Sequence, residues 1–234
     1  MQKISIILFF FIFLNSSFAQ EKLVVGTYDS FSADWGPGPI IEEKFEEICN
    51  CDLQFISTSQ AGTLNNEIFL NGKDVILGVE MHEFNYSIED WHEYDHGFFS
   101  FIYDSSKLTN PPKTFEELVN REDLKIVVQD PRTSPVGIGL LRWMKSIFKN
   151  DFSIKLKQLD QNIITYSPGW SEAYGIFLEG NADLVLSYST SPFYHQEYEN
   201  EYKYKSLNFT EGHLATREIV CLLYTSDAAD DSRS

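Results

Sequence analysis

Apolar residues in this chain fall into two kinds of pattern. Short continuous runs, bounded by polar or turn residues, read as buried strands: 22–28 (KLVVGTY), 53–56 (LQFI), 75–79 (VILGV), 98–103 (FFSFIY), 124–128 (LKIVV) and 183–188 (DLVLSY). Between them, apolar positions recur at helical spacing. Ile41, Phe45 and Ile48 stand at i, i+4 and i+7, and Leu141, Met144 and Phe148 mark a second face. Thr63 can cap a helix running to about Leu70. The stretch 114–119 reads as a helix, and Ser171 to Leu178 as another, closed by Gly180. Gly36-Pro37-Gly38-Pro39 punctuates the loop that starts at Asp29. Strands alternating with helices predict an α/β protein with mostly parallel sheets. No internal repeat and no low-complexity linker divides the chain.

The two ends are read apart from the fold. Residues 1–14 hold one Lys and then an apolar run, and Asn15-Ser-Ser-Phe-Ala19 sets small residues at Ser17 and Ala19. This is the pattern of a secretory signal peptide cut after Ala19. The apolar run, about ten residues, is shorter than the roughly 20 a bilayer span needs. The mature chain is therefore expected to be soluble and exported. At the other end, Cys221-Leu-Leu-Tyr-Thr-Ser-Asp-Ala-Ala-Asp-Asp231 resembles a translated sequencing-library adaptor. It follows Ile219-Val220, which reads as a strand stopped midway, so 221–234 are expected to be a non-native tail.

Composition narrows the partners. The 234 residues are 43% hydrophobic and 15% aromatic, enough for one large domain or two lobes and unlike a disordered chain. A formal net charge of −17 argues against nucleic acid or an anionic membrane surface and suits a cationic ligand. Setting Cys221 aside leaves Cys49 and Cys51 in Cys-Asn-Cys. In an oxidising compartment, two residues this close form a small-loop disulfide or stay a thiol pair. No second pair completes a zinc site, and a redox motif normally needs Cys-x-x-Cys.

Candidate chemistry gathers after the strands, where open α/β sheets bind ligands. Four such stretches are rich: Tyr28-Asp-Ser-Phe-Ser-Ala-Asp-Trp35, Gln129-Asp-Pro-Arg-Thr-Ser-Pro135, Ser167-Pro-Gly-Trp170 and Tyr188-Ser-Thr-Ser-Pro-Phe-Tyr194. Aromatic rings and carboxylates suit a flat aromatic cation through stacking, cation–π contact and charge pairing. Hydroxyls and a helix start with Thr133 or Ser134 before Pro135 suit a phosphate.

In these same loops the sequence resembles the family of periplasmic thiamine-binding proteins, the solute receptors of bacterial thiamine ABC importers. The resemblance rests on Asp29-Ser-Phe-Ser-Ala-Asp-Trp-Gly-Pro-Gly-Pro39, Asp130-Pro-Arg-Thr-Ser134, Gly169-Trp-Ser-Glu-Ala-Tyr-Gly175 and Asp183-Leu-Val-Leu-Ser-Tyr-Ser-Thr-Ser-Pro192, and runs from about Lys22 to Val220. It implies a two-lobed, type II periplasmic binding protein fold whose C-terminal part is missing from this chain. Lobe one would begin at 20–97, lobe two would hold 98–206, and 207–220 would return to lobe one. It implies a disulfide between Cys49 and Cys51. It implies ligand contacts from Ser134, Trp170, Tyr188, Ser189, Thr190, Ser191 and Tyr194, with Tyr28, Asp29 and Trp35 in the matching loop of the first lobe. The cargo would be thiamine or its mono- and diphosphate. The receptor would be a monomer with no cofactor and no catalytic step, meeting a membrane permease served by a separate ATPase chain. The chain departs from the family pattern at Gln60-Ala61, where an Asp-Gly is usual, at Pro135, where a Thr is usual, and in a short segment from Glu80 to Tyr94.

Two rival readings start from other residues. His92-x-x-x-His96, with His82, Glu93 and Asp95, has the spacing of a metal site on a helix face, as a type II receptor for a metal ion or other small cation would need. A thiamine-degrading transferase would need Cys49 or Cys51 as a nucleophile beside a carboxylate base.

Overall fold

The alternating runs and periods build a nine-stranded sheet in the computed structural model, which describes residues 21–83 and 90–223. The signal-peptide stretch, part of the short 80–94 segment and 224–234 lie outside the described residues. In chain order the elements are β1 (Lys22–Tyr28), α1 (Asp29–Ser32), α2 (Gly38–Cys49), β2 (Asp52–Thr58), α3 (Glu67–Leu70), β3 (Val75–Glu80), β4 (Trp91–Asp104), α4 (Phe115–Val119), β5 (Ile126–Gln129), α5 (Pro135–Phe148), α6 (Phe152–Asp160), β6 (Ile163–Ser167), α7 (Trp170–Leu178), β7 (Leu184–Tyr188), α8 (Ser191–Tyr198), β8 (Tyr204–Ser206) and β9 (Ala215–Leu222).

The sheet order is β2-β1-β3-β9-β4-β7-β5-β6, with β8 beside β4. β1 runs parallel to β2 and β3, and β5 parallel to β6 and β7. β9 is antiparallel to β3 and β4, and β4 antiparallel to β7 and β8. The sheet is therefore mixed, not mostly parallel. The difference comes from β4 and β9, which cross the centre. β4 pairs with β9 as far as Phe98 and with β7 from Phe99 onward, so one strand stitches two half-sheets together.

The second half-sheet carries the larger core. Phe99, Phe101, Phe115, Trp143, Met144 and Leu184 are almost wholly buried there, and Phe115 meets Trp143 edge-on at 4.7 Å between ring centroids. The first half-sheet has smaller clusters around Leu64, Ile76 and Ile219, and around Val25 and Leu53.

Several elements differ from the sequence pattern. Thr63 does not cap a helix. Its hydroxyl turns back to the Gln60 carbonyl at 2.7 Å within a 3₁₀ turn, Ala61–Thr63, and Asn66 caps α3 by accepting from the Ile68 N–H at 2.9 Å. The Ile41, Phe45 and Ile48 face of α2 is not buried; Ile48 is 84% exposed, because α2 packs on β2 and α1 alone among its main contacts. β4 begins seven residues before the apolar run at Phe98, because backbone pairing with β9 holds the polar stretch His92–His96 extended. β9 runs through Leu222, past Val220, and buries Cys221 between Ile76 and Trp91. Cys49 and Cys51 form a disulfide with Cα atoms 5.2 Å apart, and Asn50 turns the chain between them at φ 53°. Among the described residues no helix is long and apolar enough to cross a membrane.

Candidate ligand-binding cleft

The carboxyl ends of β1, β5, β6 and β7 and the crossing strands β4 and β9 surround a cavity of about 250 Å³. Tyr28 ends β1 and lies over Gly78. A Cβ at Gly78 would stand 2.3 Å from the tyrosine ring, and its φ is +93°, so glycine supplies both the space and the bend. The phenol thus placed donates to Glu218 Oε2 at 3.0 Å, and burial raises its pKa well above the usual tyrosine value. Asp29 opens α1. Its Oδ1 accepts the Ser30 N–H at 2.7 Å and the Ser171 hydroxyl at 3.1 Å, the latter reaching over from α7. Trp35 follows, half-exposed, with its ring 6.2 Å from Trp170 and 5.9 Å from Tyr194.

The Asp130 loop is set by its own turn. Asp130 accepts from the Arg132 guanidinium and backbone N–H, which hold its carboxyl down at about 2. The N–H groups of Thr133 and Ser134 both return to the Asp130 carbonyl, and the Thr133 hydroxyl donates to the Pro168 carbonyl at 2.8 Å. Ser134 is then the N-cap residue of α5. Its side chain makes no capping bond, and Ser134, Pro135 and Val136 line the cavity. The amino end of a 14-residue helix, with its uncapped N–H groups, therefore lies at the cavity wall.

Between β6 and α7 the two half-sheets touch. A Cβ on Gly169 would stand 2.1 Å from the Ser59 carbonyl oxygen, and the Gly62 N–H donates to the Thr133 carbonyl at 3.0 Å. Trp170 is held from two sides: its indole N–H donates to Ser187 Oγ at 2.7 Å, and its ring stacks on Tyr174 at 4.8 Å. Tyr188 stacks on Phe99 at 5.6 Å.

The structure brings Tyr28, Asp29, Trp35, Ser134, Trp170, Tyr188 and Thr190 to one cavity. Ser191 and Tyr194 line an adjoining surface pocket that also includes Trp35 and Trp170; the Ser191 hydroxyl is taken up by Ser187 Oγ at 2.7 Å. Ser189 reaches neither. It stands in the turn after β7, where its N–H donates to the Phe98 carbonyl at 2.8 Å.

Sequence reasoning named Asp95 and His96 only for a metal site and did not pick out Thr216 or Glu218; β4 and β9 contribute all four to the same wall. Thr216 and Glu218 stand two apart, hence on one face of β9. The available signal was a polar pair alternating through a strand that also buries Ile219 and Cys221. Burial pushes Glu218 up to about 7, and Glu80, behind Thr216, up to about 8. The lining thus holds three carboxyl groups, from Asp29, Asp95 and Glu218, and no Lys or Arg among the described residues.

The rival sites take other shapes. His92 and His96 lie on an irregular strand, not a helix, with a register shift between Glu93 and Asp95. Among the described residues no group of three or more His, Cys, Asp or Glu side chains could hold a metal ion. Cys49 and Cys51 are bridged and do not line the cavity.

Two half-sheets joined by crossing strands, with a cleft at the strand ends, define a periplasmic binding protein of the type II fold. The periplasmic binding protein P5PA shares this fold at a TM-score of 0.73 and 13% identity, covering 91% of this chain and 77% of that one. A solved periplasmic thiamin binding protein matches at a TM-score of 0.81 and 37% identity, covering 88% of this chain and 74% of that one. The thiamine-binding periplasmic protein of Escherichia coli (strain K12) is 39% identical, over 87% of this chain and 71% of that protein. The chain belongs to the family of thiamine-binding periplasmic proteins. No family model matches it.

Proposed function

We propose that the protein captures thiamine in this cleft, together with thiamine mono- and diphosphate. It then passes the cargo to the membrane permease of an ABC importer whose ATPase is a separate chain. It acts as a monomer and performs no chemical step. The lining carries this reading: indole and phenol rings and three carboxyl groups, with no Lys or Arg among the described residues, suit an aromatic ligand bearing a fixed positive charge. Membership of the family supports thiamine as that ligand. Trp170 and Trp35 offer faces to the rings, and Asp29 lies where it can offset the thiazolium charge. The amino end of α5, with Ser134, suits the hydroxyethyl group or a phosphate.

Ligand capture is a shift of population between separated and joined halves. The Ser171–Asp29 and Gly62–Thr133 hydrogen bonds and the Trp35–Trp170 contact link the halves as described here. A ligand touching both walls adds to that set. The test is Trp170→Ala, read by calorimetric titration with thiamine. Loss of this partly buried aromatic anchor is expected to weaken binding by about 2–4 kcal/mol. Unchanged affinity in a folded variant would remove Trp170 from the site.

A further inference from the structure

We infer that Glu218 is a specificity-determining residue of the cleft: its carboxyl group reads the amino-bearing edge of the ligand's pyrimidine ring, with Tyr28 and Tyr94 as positioning residues. The inference rests on the proposed thiamine reading and assigns the group that discriminates within it.

The geometry is that of a hydrogen-bonding group held ready. Glu218 sits on β9 opposite Glu80 of β3 on one side and Asp95 of β4 on the other, and it lines the cavity. Its Oε2 accepts the Tyr28 phenol at 3.0 Å and the Tyr94 phenol at 2.5 Å. Two donors from different strands fix the plane of the carboxyl group. The same pair saturates one oxygen and leaves the other, Oε1, without a hydrogen bond among the described residues. Tyr28 is itself fixed, pressed on Gly78 and set edge-on to Phe31 at 5.9 Å.

A structural role alone does not account for this arrangement. Glu218 has carboxyl neighbours, Asp95 and Glu80, and among the described residues no Lys or Arg lines the cavity beside it. Burial disfavours its charge and raises its pKa to about 7. Sequences keep such locally unfavourable groups at functional sites. Glu218 lines the cavity, and its Oε1, lacking a donor among the described residues, is available to a ligand N–H. The exocyclic amino group of an aminopyrimidine supplies one. An oxo group at the same position sets acceptor against acceptor, and a site built to bond an N–H rejects the analogue that lacks it far more strongly than an apolar pocket would.

The test compares thiamine with oxythiamine, in which an oxo group replaces the amino group, on the wild-type protein and on Glu218→Gln. Calorimetry gives affinities, and circular dichroism verifies folding. The wild type is expected to prefer thiamine at least tenfold. In Glu218→Gln thiamine affinity is expected to fall at least tenfold and the preference to collapse, because the amide can donate to the oxo group. Tyr94→Phe, which frees the carboxyl group on one side, is expected to narrow the preference without abolishing it. Tight thiamine binding with an unchanged preference in Glu218→Gln would overturn the inference while leaving the receptor reading intact. No thiamine binding by the folded wild type would overturn both. Should Glu218→Gln fail to fold, the wild type decides alone, since equal affinity for the two ligands excludes the role.

Discussion

Glu80 shows how a single side chain can tie the fold to pH. It is 2% exposed, between β3 and β9. Its Oε2 accepts the Thr216 hydroxyl, and its Oε1 has no partner among the described residues. His82 Nδ1 is 3.6 Å from Oε2, yet burial holds His82 down at about 4 and pushes Glu80 up to about 8. Near neutral pH the acid is therefore protonated and the imidazole uncharged, so this contact is not an ion pair. A carboxyl group whose pKa is raised on folding contributes stability that is complete below its unfolded value, near 4.5, and is lost as pH climbs through about 8. Glu218 acts in the same direction, through about 7. His82, lowered on folding, acts oppositely, but only below its unfolded value of 6.5. The thermal midpoint is thus expected to fall between pH 6.5 and pH 8.5, and Glu80→Gln to flatten that fall. A variant with the wild-type slope would exclude Glu80 as its source. These carboxyl groups were hard to read in the sequence. Charged residues in a strand usually mark its solvent face, and here β9 lies between β3 and β4 with Glu218 on the cavity wall. The placing of Trp35 and Trp170 at the cavity was legible because both stand just beyond strand ends, where the sheet gathers its loops.

At the scale of elements, the proposed phosphate contact rests on the amino end of α5. Pro135 at its first turn, a Ser134 that makes no cap, and a loop wound tight on Asp130 leave N–H groups at the cavity wall. Ser134→Ala is expected to lower affinity for thiamine monophosphate about tenfold more than for thiamine, the scale of one hydrogen bond to a charged group. Equal losses for the two ligands would remove the phosphate role. Strands with unbroken apolar runs, such as β1, β3 and β7, were legible because burial on both faces demands such runs. β6 was not. Its Ile164 and Tyr166 are near half-exposed at the sheet edge, and the mixed pattern gives no clean period. α2 misled in the opposite sense. Its periodicity correctly marks a helix, but Ile40, Ile41, Phe45 and Ile48 stay exposed, so period alone does not say that a face is covered.

For the whole molecule, the decisive feature is the pair of crossing strands. β4 and β9 join the half-sheets and also wall the cleft, so the elements that connect the halves carry Asp95, Thr216 and Glu218 to the cavity. Alternating strands and helices announced an α/β protein, but the antiparallel crossing needs pairings between residues far apart in the chain, such as His96 with Arg217. Local pattern does not encode such pairings. The cleft loops were legible because each follows a strand, and the sheet then gathers them at one place. The measurement that decides the account is a calorimetric titration of thiamine into the folded protein. A saturable, one-to-one exchange of heat, abolished by prior loading with thiamine monophosphate, is the result expected. A folded protein that gives no heat with thiamine or either phosphate would contradict it.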